Sequence, residues 1–357
     1  MNKLKLVAVV LLTSITLSSC GLFHQSSTAG WKISSTLNSR PDYLLCPASQ
    51  TCFAGEAWSH LFLKTNDSGR TWIASTIPKS KSDTDIFQSM SCPTTTTCVV
   101  VGDSSEPGAL ILITNNSGRT WKRDALPQSE ELGSNGFKVS CSKDKTCLIS
   151  SENTIWREQY GTFNWEIVGR FPGKNDLIDY VACESTKFCF LQMNNNSGVE
   201  YLFTSNNAGT DWKSSSLEMK GVVGDSPSCN DNGVCIQVST TATLLGGQYG
   251  YSPSNPKNIS IYWITTDFGE HWKKFPQLPS ERELTCATQK HCFVTDSRAS
   301  KTNYIFETSN GGNSWTRKNV QEFKSVWPIR CFENDSCIAI ASGTGKNQDR
   351  AVVVTKR

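Results

Sequence analysis

Short apolar runs separated by polar, turn-forming residues repeat along the chain after its first thirty residues. Runs such as Leu61–Leu63 and Leu110–Ile113 are rich in branched or aromatic side chains and only a few residues long. Later examples are Tyr201–Phe203, Ile259–Ile264 and Tyr304–Phe306. Short runs of this kind, bounded by clusters of Gly, Asn, Asp and Ser, predict β-strands rather than helices. The pattern therefore predicts an all-β fold built from many short strands.

Cysteines mark a regular internal repeat of this strand pattern. Seven times a cysteine is followed six residues later by another, and the pairs begin roughly every 45 to 50 residues, a period typical of propeller blades. Residues before each first cysteine and after each second one read as strands, so the residues between them form a turn. The fourteen cysteines are Cys46, Cys52, Cys92, Cys98, Cys141, Cys147, Cys183, Cys189, Cys229, Cys235, Cys286, Cys292, Cys331 and Cys337.

An even, regularly spaced cysteine set in an exported chain predicts a disulfide framework. Pairing within each repeat is favoured because the two cysteines flank one tight turn. Two alternatives remain open from the sequence. Zinc ligands usually lie two to four residues apart and often include histidine, whereas this chain has only four histidines. A redox role favours a Cys-x-x-Cys motif, which the chain lacks. We expect no metal and no cofactor.

A second motif, Ser/Thr-x-Asp/Asn-x-Gly-x-x-Trp, follows five of the apolar runs. A short Asp or Asn side chain can bond to backbone amides in a tight turn, glycine permits a positive φ, and the tryptophan supplies a large apolar surface to the next strand. The motif resembles the Asp-box repeat of sialidase-like β-propellers. That resemblance implies a structural role for the Asp or Asn of each copy, namely Asp67, Asn116, Asn207, Asp267 and Asn310.

Together the two motifs predict blades of four antiparallel strands, named A to D, with the cysteine turn between A and B and the box between C and D. The last cysteine pair is followed by apolar runs at 338–340 and 351–354 but by no box. Trp31 opens a strand-like segment that has no A, B or C strand before it. We therefore predict one domain over residues 31–357, a seven-bladed β-propeller closed when the N-terminal strand completes the last blade.

Two repeats depart from the pattern. The third has one extra residue between Gly161 and Trp165 and no Asp or Asn at the box position, which predicts a looser turn. The fifth carries an insertion of roughly residues 240–258 between its B and C strands, rich in glycine and proline. This insertion reads equally well as an ordered contact loop and as an unstructured surface segment.

Strand direction divides the ring into two ends. The A and C strands run the same way, so the cysteine turns and boxes share one end, which we name the box end. The D–A and B–C loops share the other, which we name the variable end. Loops that vary in length and content usually carry function, so we expect ligand contacts at the variable end. Two candidate contacts, Trp58 and Trp327, are aromatic residues of a kind that more often serves packing, and two more, Tyr249 and Tyr251, lie in the insertion.

The first twenty residues have the features of an exported lipoprotein. Lys3 and Lys5 precede an apolar segment too short to span a bilayer comfortably, as in a secretory signal. The ending Leu17-Ser-Ser-Cys20 resembles a bacterial lipobox. That resemblance implies that residues 1–19 are a signal peptide, that Cys20 is lipidated, and that residues 20–30 form a tether. The alternative is an ordinary signal peptide with an incidental cysteine.

Charge gives no argument for a nucleic-acid partner. Removing residues 1–19, which carry two lysines and no acidic residue, lowers the formal net charge from +3 to +1. A nucleic-acid-binding domain usually presents a strong basic excess. We therefore expect no nucleic acid among the partners.

Nearly the whole mature chain resembles single-ring Asp-box propellers such as the photosystem II assembly/stability factor family, which act by binding. Only the box and tryptophan positions match, so no binding residue is carried over. A sialidase would need an Arg-Ile-Pro motif, which is absent. No spacing of acidic residues marks a catalytic pair. We expect a monomer, lipid-anchored on the extracytoplasmic side of a bacterial membrane, that binds a protein or glycan. The alternative is a secreted carbohydrate-active enzyme on the same scaffold.

Overall fold

The protein is described from a computed structural model. The description runs from residue 30 to residue 356. It leaves out residues 57–58, 80–84, 105–107, 128–135, 144–145, 160–161, 163, 172–176, 184–187, 195–198, 215–218, 221, 224–227, 230–234, 241–259, 266–270, 275–282, 289, 296–303, 321, 327, 333 and 348–349. Among the residues that are described, no helix is long and apolar enough to cross a membrane.

The described residues form seven antiparallel sheets, which we number as blades 1 to 7. Blade 1 contains β2 (Tyr43–Leu45), β3 (Cys52–Gly55), β4 (Leu61–Thr65) and β5 (Ile73–Thr76). Blade 2 contains β6 (Ile86–Ser91), β7 (Cys98–Asp103), β8 (Ala109–Thr114) and β9 (Lys122–Asp124). Blade 3 contains β10 (Lys138–Cys141), β11 (Thr146–Ser151), β12 (Thr154–Gln159) and β13 (Glu166–Arg170). Blade 4 contains β14 (Leu177–Cys183), β15 (Cys189–Asn194), β16 (Val199–Ser205), β17 (Lys213–Ser214) and β18 (Met219–Lys220).

The A strand of blade 7 is described as two segments, and in blade 5 the described parts of the A strand lie on either side of residues 224–227. Blade 5 contains β19 (Val222–Val223), β20 (Ser228–Cys229), β21 (Cys235–Thr240), β22 (Ser260–Thr265) and β23 (Lys273–Lys274). Blade 6 contains β24 (Glu283–Cys286), β25 (Cys292–Thr295), β26 (Tyr304–Thr308) and β27 (Thr316–Asn319). Blade 7 contains β28 (Phe323–Lys324), β29 (Ile329–Cys331), β30 (Cys337–Gly343), a 3-10 turn (Gly345–Asn347), β31 (Ala351–Lys356) and β1 (Trp31–Leu37).

The core lies between the faces of neighbouring blades, as the burial of the middle strands shows. The B and C strands of blade 2, β7 and β8, are buried at nearly every position, because both faces of a blade pack on other blades. The D strands β5, β9, β17 and β23 are mostly exposed. This gradient explains why the B and C strands read as continuous apolar runs in the sequence.

The N-terminal strand completes blade 7, as predicted. Strand β1 pairs with β31 from Trp31 opposite Lys356 to Leu37 opposite Ala351. Trp31 is 1% exposed and meets Phe293 of blade 6 edge-on, with ring centroids 6.2 Å apart. The first and last strands of the chain therefore share one sheet, and the edge of β31 is covered.

Disulfide bonds close the cysteine turns of blades 1, 2, 3, 4, 6 and 7, as predicted. In blade 5 the backbones of Cys229 and Cys235 face each other in the same register, but their side chains lie outside the described part. Each bridge links the end of an A strand to the start of a B strand. The bridges therefore fix the hairpin register at the box end.

The loops between the C and D strands of blades 1, 2 and 4 dock on the preceding blade through their glycines, Gly69, Gly118 and Gly209. Gly69 has φ +81°, and a Cβ there would lie 2.7 Å from Ile338 Cδ1 of blade 7. Ser34 and Ser35 of β1 donate hydrogen bonds to the Gly69 carbonyl oxygen. Gly118 packs in the same way on Phe62. The glycine of the motif is therefore required by contact between blades as well as by its backbone conformation.

Blade 3 departs from the other blades where the sequence does. Glu158, buried at 2% exposure, lies opposite Cys147, where blade 1 has Thr65 opposite Cys52. Trp165 is buried, and its indole nitrogen donates to Asp124 Oδ2 of blade 2 at 2.9 Å. The tryptophan position thus keeps its packing role where the rest of the motif is missing. The predicted looseness of this turn involves Gly161, which lies outside the described residues.

Candidate functional site

The turn between the C and D strands of blade 1 is held by one carboxylate. Asp67 Oδ1 accepts hydrogen bonds from the backbone amides of Arg70 and Thr71, at 3.0 and 2.9 Å, and Oδ2 accepts one from the Thr71 hydroxyl at 2.6 Å. Thr65 Oγ1 accepts the amide of Gly69 at 3.0 Å. The side-chain bond from Thr71 is the largest cause that lowers the pKa of Asp67 to about 2.

Asparagine makes the same central bond in three other blades. The Oδ1 atoms of Asn116, Asn207 and Asn310 accept the amides of the residues four positions later, at 2.9, 2.9 and 3.0 Å. A charged and a neutral oxygen therefore accept the same hydrogen bond, and the role of these side chains is to stabilise their own turns. Asp267, the fifth predicted residue of this kind, lies outside the described residues.

The cysteine turns and these C–D turns meet at one end of the ring, as strand direction predicts. The amide of Ser68 donates to Gln50 O at 3.0 Å, and the amide of Ser117 donates to Thr96 O at 2.8 Å. In blade 6 the amide of Gly311 donates to Lys290 O at 3.0 Å. The box end is thus a braced, repetitive surface.

A polar cleft of about 580 Å³ lies at this box end, at the seam between blades 7 and 1. Blade 1 supplies residues of its cysteine turn and its C–D turn, and blade 7 supplies residues of its cysteine turn. All of the lining residues are polar or charged: Ser49, Gln50, Asn66, Asp67, Ser68, Arg70, Asn334 and Ser336. Blade 7 has no C–D turn of its own, because its D strand is β1. The cleft therefore lies beside the one blade whose C and D strands are not joined in sequence.

The cleft is rich in hydrogen-bond donors. Asp67 is occupied within its own turn, and Ser336 donates to Asn334 Oδ1 at 2.6 Å. Among the described contacts, the Arg70 guanidinium and the side-chain amides of Gln50 and Asn66 have no polar partner. A guanidinium and two amide groups facing solvent suit a ligand with several acceptor oxygens.

Arg119 occupies the same motif position one blade further on and behaves differently. Its Nε donates to the backbone oxygen of Asn116 at 3.3 Å, within its own turn. Arg70 makes no such bond, although the two turns have the same Ser-Gly-Arg-Thr-Trp sequence. The two arginines therefore form a matched pair, one facing the cleft and one held by its turn.

Acidic side chains at the box end are largely engaged by neighbours. Glu307 Oε1 lies 2.5 Å from Lys356 Nζ and 2.6 Å from His291 Nε2, and His291 Nδ1 lies 2.7 Å from Asp335 Oδ1. Burial acts to raise the pKa of Glu307, but the bonds from Lys356 and His291 outweigh it and hold the pKa below its ordinary value. This cluster joins blades 6 and 7 where the chain enters the ring.

At the variable end, a polar cluster ties three blades together beside the A strands. Gln88 donates from Nε2 to Asp103 Oδ2 at 2.6 Å and accepts the amide of Phe137 at 2.7 Å. The Tyr43 hydroxyl donates to the Gln88 backbone oxygen, and burial raises the pKa of Tyr43 to about 12. Burial also raises the pKa of Asp103, against the bond from Gln88. These hydrogen bonds join blades 1, 2 and 3 at the variable end.

A second carboxylate at the variable end is also engaged. The Asp85 side chain is fully buried, accepts the Ser104 hydroxyl at 3.3 Å, and lies 3.7 Å from Arg123. His60 Nε2 bonds to the backbone oxygen of Asp85 at 3.1 Å. Asp85 and Asp103 therefore serve as links between loops, and each has a donor on its carboxylate.

The predicted ligand contacts and the lipidation site fall outside the described residues. These are Trp58, Tyr249, Tyr251, Trp327 and Cys20. Sequence reasoning missed the polar cleft, which depends on how blades 7 and 1 meet. The available signal was the missing C–D turn of the last repeat. This absence predicted how the ring closes, and it also leaves room for a cleft beside blade 7.

The chain matches no protein-family model and no curated protein sequence. Solved structures do match. YCF48 bound to D1 peptide has a TM-score of 0.59 at 15% identity, covering 92% of this chain and 96% of that one. YCF48 from Cyanidioschyzon merolae has a TM-score of 0.60 at 12% identity, covering 92% and 99%. The GH74 enzyme of Niastella koreensis has a TM-score of 0.63 at 11% identity, covering 91% of this chain but 53% of that one.

These likenesses establish the fold. The chain is a β-propeller, as its sequence predicts, and it is similar to YCF48 and to the GH74 propeller enzymes. At these identities the likeness extends to the fold and not to the chemistry of a site. Both a binding protein and an enzyme are found on this scaffold.

Proposed function

We propose that this chain is a lipid-anchored, extracytoplasmic propeller that binds a protein or glycan partner at its variable end. The observation that carries the proposal is the point where the chain enters the ring. Trp31 lies opposite Lys356, which itself lies opposite Cys337 at the cysteine turn of blade 7. The segment that leads back to Cys20 therefore leaves from the box end.

This geometry assigns different tasks to the two ends. Residues 20–30 can span at most about 40 Å, so acyl chains on Cys20 would hold the box end towards the bilayer. Two or three acyl chains anchor a protein stably, where a single chain does not. The variable end, with the insertion of the fifth repeat, then faces away from the membrane and is open to a partner.

Disulfide content supports an exported protein. Six bridged hairpins persist in oxidising compartments and are rare in reducing ones. A location outside the cytoplasmic membrane supplies the oxidants that form these bonds. This agrees with the signal-like N-terminus.

The alternative, a carbohydrate-active enzyme, rests on the fold shared with GH74 enzymes. Such an enzyme needs two carboxyl groups facing each other across a substrate cleft. Asp85 and Asp103, at the variable end, are each bonded to neighbouring side chains. The cleft between blades 7 and 1 has one carboxylate, and that carboxylate is held by its own turn. We therefore favour binding.

Two variants of the full chain test the proposal. Cys20→Ala should move the folded protein from the membrane fraction to the soluble fraction when the membranes are washed in high salt, which screens attraction between charges. Replacing residues 242–256 by a Gly-Ser linker should leave membrane attachment unchanged and abolish capture of a cross-linked envelope partner. A Gly-Ser replacement of residues 344–350, a loop at the same end of blade 7, is the matched control. Retention of Cys20→Ala in the membrane after the high-salt wash, or turnover of a glycan without a stable complex, would overturn the proposal.

A further inference from the structure

We propose that the box end is a docking surface for the anionic headgroups of a phospholipid bilayer, formed by a rim of basic side chains beside the cleft that contains Arg70. The inference deepens the proposed function, since it explains how the anchored ring is oriented. Its physical basis is separate, because it depends on exposed charge and not on acylation of Cys20.

Four lysines follow directly after the tryptophans that open D strands. They are Lys32, Lys122, Lys213 and Lys273, and all are exposed. Strand register places each of them near the box end. Lys122 pairs with Ile113, next to Thr114, which faces Cys98. The same one-residue offset from the second cysteine holds in blades 4, 5 and 7. The lysines therefore lie on the outer rim of one end of the ring.

Positive charge is concentrated on the outer strands. The seven D strands carry nine basic and two acidic residues, whereas the chain from Cys20 onward has a formal net charge of +1. Basic residues on edge strands also prevent edge-to-edge aggregation, and that role needs no partner. Protection against aggregation, however, places no demand on which end of the strand carries the charge. Four lysines at the same position, directly after the tryptophan, favour a basic surface that lies at one end of the ring.

The described carboxylates near the box end all make local contacts. Glu307 is neutralised by Lys356, and Glu166 lies 2.6 Å from Arg157. Asp335 contacts His291, whereas Asp67, held within its own turn, keeps its negative charge at neutral pH because its pKa is lowered to about 2. The attraction of the rim for anions therefore comes from the exposure of its lysines and from the excess of basic over acidic residues on the D strands.

The cleft extends this basic rim towards the root of the tether. Gly30 lies beside the side chain of Lys356, and the cysteine turn of the same blade contributes Asn334 and Ser336 to the cleft. Arg70 and the amide groups of Gln50 and Asn66 can donate to phosphate oxygens. A headgroup drawn close by the tether would meet these donors first.

Acyl chains and a basic surface act together in membrane attachment. An acyl chain inserted in the bilayer keeps the protein close to the membrane surface. Basic residues near that surface add about 1 kcal/mol each to the free energy of binding when the lipid is anionic. Docking of the box end would hold the variable end outward instead of letting the ring tumble on its tether. The proposed partner site would then keep a constant orientation.

Vesicle sedimentation tests the proposal with residues 20–357 carrying Cys20→Ser, which cannot be acylated. We expect binding to vesicles of phosphatidylcholine with a third phosphatidylglycerol, no binding to phosphatidylcholine alone, and weaker binding as salt is raised. Lys32, Lys122, Lys213 and Lys273 are changed together to Gln. This should lower the partition coefficient at least a hundredfold, because each cation contributes a factor of roughly five.

The matched control removes the same charge from the variable end by changing Lys79, Arg170, Lys346 and Arg350 to Gln. We expect this variant to bind almost as the parent protein does. Equal losses in the two variants would mean that net charge alone drives binding and would overturn the proposal. Binding to uncharged vesicles would overturn it as well. Neither result bears on whether Cys20 is acylated in the cell.

A second pair of variants tests the cleft. Arg70→Gln should weaken binding by at least fivefold, because its guanidinium is free to reach phosphate. Arg119→Gln should have a smaller effect, because its guanidinium is held by Asn116. Equal effects would remove the cleft from the docking surface. Unfolding curves of both variants should coincide with that of the parent protein.

Discussion

Trp31 lies directly opposite Lys356 in the antiparallel register of blade 7, and its ring meets Phe293 of blade 6. One contact therefore joins the first strand, the last strand and the neighbouring blade. It removes an open sheet edge, which would otherwise be free to pair with other chains. It also places the start of the first strand at the box end of the ring.

Removing this contact should destabilise the ring strongly. Trp31→Ala leaves a large cavity at a buried site, and we expect a loss of about 3–5 kcal/mol in the free energy of unfolding, measured with urea. Lys32→Ala, at the next and exposed position, should change stability by less than about 0.5 kcal/mol. Equal effects of the two changes would contradict closure of the ring through β1.

Gly69→Ala should disturb the contact between blades 1 and 7. The new Cβ would lie 2.7 Å from Ile338 Cδ1 and 2.8 Å from Val353 Cγ1, at a positive φ. We expect a loss of about 3 kcal/mol, from overpacking together with backbone strain. Gly345→Ala also has a positive φ but meets nothing within 4 Å, so it should cost only about 1 kcal/mol. A difference near zero between the two variants would show that the blades do not meet at Gly69.

Asp67 should make the first C–D turn sensitive to acid. Its folded pKa of about 2 lies below its ordinary value near 4, so its contribution to stability is complete above about pH 4 and is lost as the pH falls towards 2. Asp67→Asn should keep the turn, as Asn116 does, and remove this pH dependence. Urea unfolding at several pH values should show the two proteins diverging below pH 4. Parallel curves would contradict the role given to the carboxylate.

Asp67→Ala removes the acceptor and not only the charge. The amides of Arg70 and Thr71 then lose their partner, and we expect a cost of about 1–2 kcal/mol at neutral pH. Comparison with Asp67→Asn in the same urea assay separates the hydrogen bonds from the charge. Equal stability of the Ala and Asn variants would rule out the hydrogen bonds as the function of this side chain.

Each short disulfide should contribute modestly. The Cys92–Cys98 bridge closes a small loop, for which the chain-entropy model gives about 2 kcal/mol. Replacing both cysteines by alanine should lower the free energy of unfolding by about that amount and leave the fold intact, as circular dichroism would confirm. No change in stability would mean that the bridge constrains neither the folded nor the unfolded chain.

Sequence alone predicted the repeating elements because their signals are local. The cysteine spacing, the C–D turn motif and the apolar runs each lie within one hairpin, and the paired strands Cys98–Asp103 and Ala109–Thr114 follow from them. The closure through Trp31 was predictable because the missing D strand and the extra strand are complementary. Both inferences needed only the order of motifs along the chain.

Contacts between blades were not predictable in the same way. The packing of Gly69 on Ile338 and the bonds from Ser34 and Ser35 join residues far apart in sequence, and no spacing rule encodes them. The cleft follows from these contacts, and so does the difference between Arg70 and Arg119. Glu158 lies opposite Cys147, where other blades have a hydroxyl residue. The sequence predicts this difference only through the absence of the motif from the third repeat.

The most direct test of the proposed membrane attachment asks which end of the ring touches lipid. A photo-reactive amino acid is placed at Asn66, exposed at the box end, or at Lys346, exposed at the variable end, in the full-length protein expressed in its native membrane. After illumination, mass spectrometry measures phospholipid adducts at each position. The account predicts lipid adducts at Asn66 and none at Lys346. Equal labelling of both positions, or labelling of Lys346 alone, would contradict it.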